Sequence, residues 1–414
     1  MRTDRVPRRD RFSGGRALLR GLAAAALACV FTLLVLEGVL RTTHAFGARV
    51  SWSEPDSLLG FRSTPGSTFW LAKENDHPIS ERFNSHGMRD RERSFERSDG
   101  VCRVAFLGDS FVEALQVEMD STFLFLAEES LKSEGLSVEL LNFGRSGATQ
   151  SDELLMLRRD ALRFSPDLVA LLFVPQNDVA DVRPGTADGL LRPFFTVSED
   201  GDLELDTSFN KTEQFAMRAR INGLKQRSAF VSLLADRYNM LQLARRSASL
   251  APEDGAEGLP GYLTLCTEHP DPAYVSGYAM CKTLTAAMVD TCRSRGIGFL
   301  LVCCDVSHRP DETSRWRALD ATFDPWFFDR DLGAFADSLG IAFLGLQDAF
   351  SEAARDGGRD PHWGHWSYRG HRVAAPLVAD AVRGLCEDRS SGGSTSGEAL
   401  AARQERRASA AKHK

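Results

Sequence analysis

Apolar and polar positions alternate with a different rhythm in each part of the chain. Residues 21–40, GLAAAALACVFTLLVLEGVL, are apolar on every face and carry one charge, Glu37, near their far end. At ~1.5 Å per residue, such a run is long enough to cross a hydrocarbon core of ~30 Å. The arginine-rich stretch MRTDRVPRRDRFSGGRALLR stands before it, and no A-x-A site follows it. A core helix would not sit behind so many arginines, and a cleavable signal would need the small-residue site. Cys29 is a poor lipobox cysteine, since Ala26 stands where Leu is wanted and the apolar run continues. The pattern predicts a basic cytoplasmic segment over 1–16 and a transmembrane signal anchor over 17–41, with the rest of the chain outside the cytoplasm. Glu37 is close enough to the end of the span to reach the interface.

Residues 42–100 hold several turn formers and little periodicity, which predicts an extended linker or wrap. From residue 101 strands and helices alternate. CRVAFLG, SVELLNFG, PDLVALLFV, IGFLLVCCDV and IAFLGL read as strands. The stretches at 121–135 (capped by Ser121, stopped by Gly135), 151–164, 273–295, 331–340 and 370–386 read as helices. PDLVALLFV is apolar without interruption, as a strand covered on both faces should be. The alternation predicts a three-layer α/β/α sandwich with a mainly parallel sheet over 101–388. An insertion at about 183–260 interrupts it, with a hairpin in RPFFTVSEDGDLELD and a helix whose Phe230, Leu233, Leu234 and Leu241 share one face. Inserted segments at strand C-termini can form lids over the crevice of an open α/β sheet, or can be plain decoration. Residues 389–414 are polar and of low complexity, and are expected to be disordered.

Composition narrows the partners. The 414 residues are 43% hydrophobic, ample for a sizeable core, and a net charge of −7 argues against nucleic acid. Beyond Cys29 there are seven cysteines, at 102, 266, 281, 292, 303, 304 and 386, so they cannot all pair internally. Cys303 and Cys304 read as core thiols. Cys281 and Cys292 fall on one predicted helix about 16 Å apart, too far for a bond, while Cys266 with either of them is open. With no C-x-x-C pattern, no ligand spacing among the acids and no phosphate-cradling glycine loop, the sequence implies neither metal nor organic cofactor.

The strand exits carry the candidate chemistry. The first ends in Gly108-Asp109-Ser110, the second in NFGRSGATQS, the third in VPQNDVAD, and RDPHWGHWSYRGHRVAA precedes the last helix. Asp109 or Ser110 could be a simple helix cap. Taken together, Ser, Gly, Asn and a distant His in this order resemble the SGNH (GDSL) hydrolase superfamily over roughly residues 80–386. The lead-in FNSHGMRD resembles that of membrane-anchored bacterial members. The resemblance implies a flavodoxin-like fold and a serine hydrolase acting on acylated small molecules, lipids or polysaccharides. It makes Ser110 the nucleophile, with an oxyanion hole from the Ser110 and Gly147 backbone and the Asn177 amide, and Gly144 as an available substitute for Gly147. Such chemistry needs a base beside the hydroxyl and fixed donors for the oxyanion. The HW…GH spacing favours His365 as base and makes His371 structural. Two departures are evident. Pro175 stands where block three has Gly, and no Asp stands just before His365. Asp360 is the nearest acid and is the expected orienter, with a backbone carbonyl in its place or a Ser-His dyad with no third member as the alternatives; the other register pairs Asp360 with His362 as base. An O-acyltransferase, or a non-catalytic glycan-binding or assembly protein on the same fold, are the alternatives.

Overall fold

A computed structural model of the protein describes residues 11–72, 74–182, 191–250 and 258–390. The expected basic segment lies outside these residues over 1–10, as do parts of the insertion (183–190 and 251–257) and the tail from 391.

The five apolar runs form one sheet, its strands here numbered β1 (Cys102–Gly108), β2 (Val138–Gly144), β3 (Leu168–Phe173), β4 (Gly298–Cys303) and β5 (Ala342–Gly345). Their order is β5-β4-β3-β1-β2, and every pair is parallel. Both faces of each strand are apolar because both are covered. Val104 and Phe106 pack with helices α1 (Phe123–Ser133) and α5 (Tyr368–Ser390). Ala105 and Leu107 pack with α2 (Gln150–Arg159) and α3 (Pro272–Arg293), and Phe328 and Leu332 of α4 (Phe327–Leu339) join that layer. Side chains as large as Phe106 and Leu107 contribute roughly 1.5–3 kcal/mol each when fully buried. The sheet is therefore wholly parallel, with helices on both sides. The order reverses between β1 and β3, and ligand crevices of open α/β sheets lie at such a switch point, at the strand C-termini.

Three expectations change. Thr122 rather than Ser121 caps α1, its hydroxyl accepting from Phe125 N. The stretch expected as a linker is part of the α/β unit from Trp52 onward and forms two antiparallel hairpins. These pair Ser53–Asp56 with Gly60–Ser63 and Thr68–Leu71 with Ile79–Arg82. Phe69, Ile79 and Phe83 of the second hairpin bury a small core with Leu115. Finally, Cys102 is bonded to Cys386, 284 residues away, at a Cα–Cα distance of 6.0 Å. Cys266, Cys281 and Cys292 are free and buried, as are Cys303 and Cys304. Burial pushes all five thiols up, Cys292 to about 12, so they are inert core groups.

Among the described residues, 11–51 form a second unit with Ile221–Leu250. Its helix Arg11–Thr43 includes a stretch, Arg16–Thr43, long and apolar enough to cross a membrane; a signal sequence passes the same test. Glu37 has a partner unforeseen from the sequence. It accepts from Ser228 Oγ (2.7 Å), Ala229 N (2.7 Å) and Phe230 N (3.1 Å), capping the helix Ala229–Leu250, while Arg41 Nε donates to it at 2.6 Å. Of the four residues expected on one face, Phe230 and Leu233 pack against Leu40, Ala48 and Ala229, whereas Leu234 and Leu241 are exposed.

Candidate active site

The opening motif serves both as a cap and as a mount for the hydroxyl. After β1, Asp109 is the N-cap of a single helical turn, Ser110–Glu113, its Oδ1 accepting from Phe111 N at 2.9 Å. As the first helical residue, Ser110 has no intrahelical acceptor for its N–H. The β2 exit packs directly on this turn. A Cβ on Gly144 would lie 2.2 Å from Glu113 N, so Gly144 is the glycine demanded by close approach. Gly147 is needed for a different reason, a left-handed φ of +72°, and a Cβ there would make only an ordinary contact, 3.7 Å from Arg192 Nη2. Glu113 holds that turn by accepting from the amide and hydroxyl of Ser146.

Across the crevice, Ser110 Oγ lies 2.8 Å from His365 Nε2. Trp366 fixes the histidine's loop; it is fully buried, with its ring against those of Phe111, Phe123 and Phe350. His371 is structural: it is fully buried, and its Nδ1 accepts from Phe123 N at 3.2 Å. Burial, with a smaller push from Arg89, brings its pKa down to about 3.

The carboxylate beside His365 is Glu74. Its Oε2 lies 2.8 Å from His365 Nδ1 and accepts from His365 N at 3.1 Å, and its Oε1 is 3.0 Å from Nδ1. Glu74 lies in the loop of the second hairpin and has a left-handed φ of 71°, unusual for a residue with a Cβ. Gly364 lies against it, with a φ of +126° that favours glycine, and a Cβ there would be in ordinary contact at 3.4 Å with the Glu74 carboxyl carbon. The lead-in block anchors this hairpin. Arg89 is buried and donates to Glu81 Oε2 (2.6 Å) and to the carbonyls of Ala114 and Val117, just past the Ser110 turn. Sequence reasoning missed Glu74, which sits in a segment without periodicity. The one signal was the vacancy itself: no Asp before His365 meant that an acid had to come from elsewhere.

Asp360, expected as the orienter, is engaged elsewhere. Its Oδ1 accepts from His308 Nε2 and from His362 N, both at 2.9 Å. The cause is a tight turn in which Trp363 N donates to His365 O and His362 bridges to Trp366, giving the two histidines different partners. His362 Nε2 is 3.0 Å from Asp305 Oδ1. Burial alone would raise Asp305, but His362 and His308 outweigh it and hold its carboxyl well below the usual range.

Asn177 follows β3. Pro175, out of place in the block, is the first residue of the short helix Pro175–Asp181, where its missing N–H costs nothing. Asn177 Nδ2 donates to Asp109 Oδ2 at 2.5 Å, leaving its second N–H for another acceptor. Beneath it lie Asp109, Glu153 and Asp178, all fully buried. Burial raises all three, and repulsion from neighbouring carboxylates helps push Glu153 and Asp178 well above the usual carboxylate range. Beside the site a cavity of about 410 Å³ is bordered by Phe111, Gln176, Tyr262, Asp305, His362 and Gly364.

No protein-family model matches the chain, and no curated protein does. Among solved structures, TesA is 15% identical with a TM-score of 0.34, covering 67% of this chain and 95% of its own. The acetyl xylan esterase AlAXEase is 16% identical at 0.37, covering 68% and 99%. A catalytic mutant of Axe2, an acetylxylan esterase from Geobacillus stearothermophilus, is 13% identical at 0.36, covering 68% and 93%. Likenesses this distant decide nothing, and the geometry of the site has to carry the functional reading.

Proposed function

We propose that the protein is a serine esterase or acyl hydrolase that works through Ser110, His365 and Glu74. The reading rests on one observation, the continuous chain from Ser110 Oγ through both ring nitrogens of His365 to the Glu74 carboxylate. Ser110 Oγ attacks the acyl carbonyl carbon as its proton passes to His365 Nε2. Glu74 keeps the ring in the tautomer with Nδ1–H and stabilises the imidazolium. Ser110 N, Gly147 N and the free Asn177 N–H are the donors assigned to the oxyanion, and Asp109 positions the Asn177 amide. Collapse of the intermediate breaks the bond to the alcohol, which leaves with the proton from His365. A water activated by the same base then releases the acid and regenerates Ser110. The case for a non-catalytic relative was the missing acid beside His365, and the Glu74 carboxylate at its Nδ1 argues against that relative.

The helix Arg16–Thr43 supports a single-pass anchor with the catalytic domain in the periplasm or exterior, and the Cys102–Cys386 bond suits an oxidising compartment. The substrates would then be acylated lipids or O-acylated envelope polysaccharide. The test is covalent labelling of the full chain in detergent with a fluorophosphonate. Wild type should label and Ser110→Ala should not; equal labelling of both places the nucleophile elsewhere.

A further inference from the structure

The loop after β4 and the turn before His365 assemble a second cluster of donors that the proposed hydrolysis does not use. Asp305, His308 and His362 each offer one ligand atom, and these atoms all lie within 4.8 Å of one another. The Asp305 side chain is 1% exposed, and those of His308 and His362 are 11% and 15% exposed. His362 Nε2 stands 3.0 Å from Asp305 Oδ1 and His308 Nδ1 stands 3.2 Å from Oδ2. The two imidazoles are stacked, with centroids 4.3 Å apart.

What joins this cluster depends on what occupies His308 Nδ1. His308 Nε2 faces Asp360 Oδ1 at 2.9 Å, so in the neutral ring the proton sits there and Nδ1 presents a lone pair. That lone pair faces a buried carboxylate oxygen. Asp305 Oδ2 is buried without a hydrogen-bond partner, although Nδ1 is only 3.2 Å away, because the two are not aligned for one. A proton on Nδ1 or a metal cation can stand between these two atoms, and His362 Nε2, 3.0 Å from the other oxygen of the same carboxylate, adds the third atom of a ligand set. A tetrahedral zinc ion with arms of ~2.05 Å has ligand edges of roughly 3.3 Å, close to the spacing of these two pairs. The Asp360–His308 contact is the carboxylate–histidine arrangement that fixes a metal-binding ring from behind. We propose that Asp305, His308 and His362 bind a divalent zinc-class ion, with Asp360 positioning His308. The cavity of about 410 Å³, bordered by all four residues, leaves the fourth position open to water or to an oxygen of a bound molecule.

The test uses the full-length protein in detergent, stripped with chelator, dialysed and titrated with Zn²⁺ against a chromogenic indicator. One equivalent should bind. His308→Gln, His362→Gln and Asp305→Asn should each weaken binding more than ~100-fold, and Asp360→Asn by about 10–100-fold. His365→Ala and Glu74→Gln, which alter the neighbouring histidine–carboxylate pair, should leave it unchanged. A wild type that binds no equivalent overturns the proposal, as does binding lost in His365→Ala or unmoved by the three ligand substitutions. Should a ligand variant fail to fold, Co²⁺ added to the stripped wild type decides. Visible d–d bands of a low-coordinate site support the assignment, and a featureless spectrum overturns it. Fluorophosphonate labelling of the same stripped samples reports on Ser110 independently, so loss of the metal reading leaves the hydrolase reading measurable.

Discussion

His362 and His365 stand three residues apart on one turn, yet each meets a different carboxylate. His365 lies between Ser110 and Glu74, one ring nitrogen on each. His362 lies against Asp305, its ring stacked on a second histidine with no hydroxyl between them. The same pair of residue types thus makes two different sites. The hydroxyl at hydrogen-bond distance is the ground for proposing the first pair as a base, and the second imidazole on the same carboxylate is the ground for proposing the second as a ligand set.

The largest effect that can break this comparison is on turnover. Glu74→Gln should lower kcat for a short-chain aryl ester by about 10²–10⁴-fold, since the imidazolium loses its counter-charge and its tautomer control. Asp360→Asn should stay within a few-fold in the same assay, because its bonds go to His308 and the His362 amide. If Asp360→Asn were the dead variant and Glu74→Gln the active one, the two sites would have to exchange roles.

A smaller effect concerns the frame that holds both sites. Replacing Cys102 and Cys386 with Ser should cost about 2–5 kcal/mol, read as a lower urea midpoint at pH 7. The bond joins the start of β1 to the closing turns of α5, the helix that begins just after the histidine turn. An unchanged midpoint would mean that packing alone fixes α5.

The smallest effect sharpens the contrast with the third histidine of the segment, His371, which has no carboxylate. Its folded pKa of about 3 lies below that of a free histidine, ~6.5. As pH falls below ~6.5 the unfolded chain takes up this proton and the folded chain does not, so stability declines toward pH 3, by at most ~1.4 kcal/mol per pH unit. His371→Asn keeps an acceptor for Phe123 N and removes the proton site. Its urea midpoint should vary less between pH 6 and pH 4 than that of wild type; equal slopes would assign the acid sensitivity to other groups.

Ser110 and Asn177 could be singled out because strand exits are local, and His365 from the HW…GH spacing before the last helix. An apolar run, a turn and a polar residue are contiguous, and the sheet brings the exits together. The five strands were legible for the same reason. Glu74 was not, because a hairpin packed through Phe69 and Phe83 and clamped by Arg89 carries it to a histidine 291 residues away in the chain. Asp360 was chosen by sequence proximity to His365, and a tight turn defeats proximity. Cys102 and Cys386 lie at opposite ends of the domain, so no spacing rule could pair them. Asp305 and His308 stand three residues apart, but His362 joins them from 57 residues away, so the cluster exists only after folding.

Glu74 rides on a two-stranded hairpin, outside the sheet that carries Ser110. The free energy that keeps the acid in register is therefore that of a small peripheral element, well below that of global unfolding. Amides of residues 68–82 should exchange with deuterium sooner than those of β1 and β3. Each local opening would separate the carboxylate from the imidazole while the domain remains folded. Whatever protein, lipid or glycan stabilised that hairpin would act as an activator, and proteolysis at its loop would silence the enzyme without melting it.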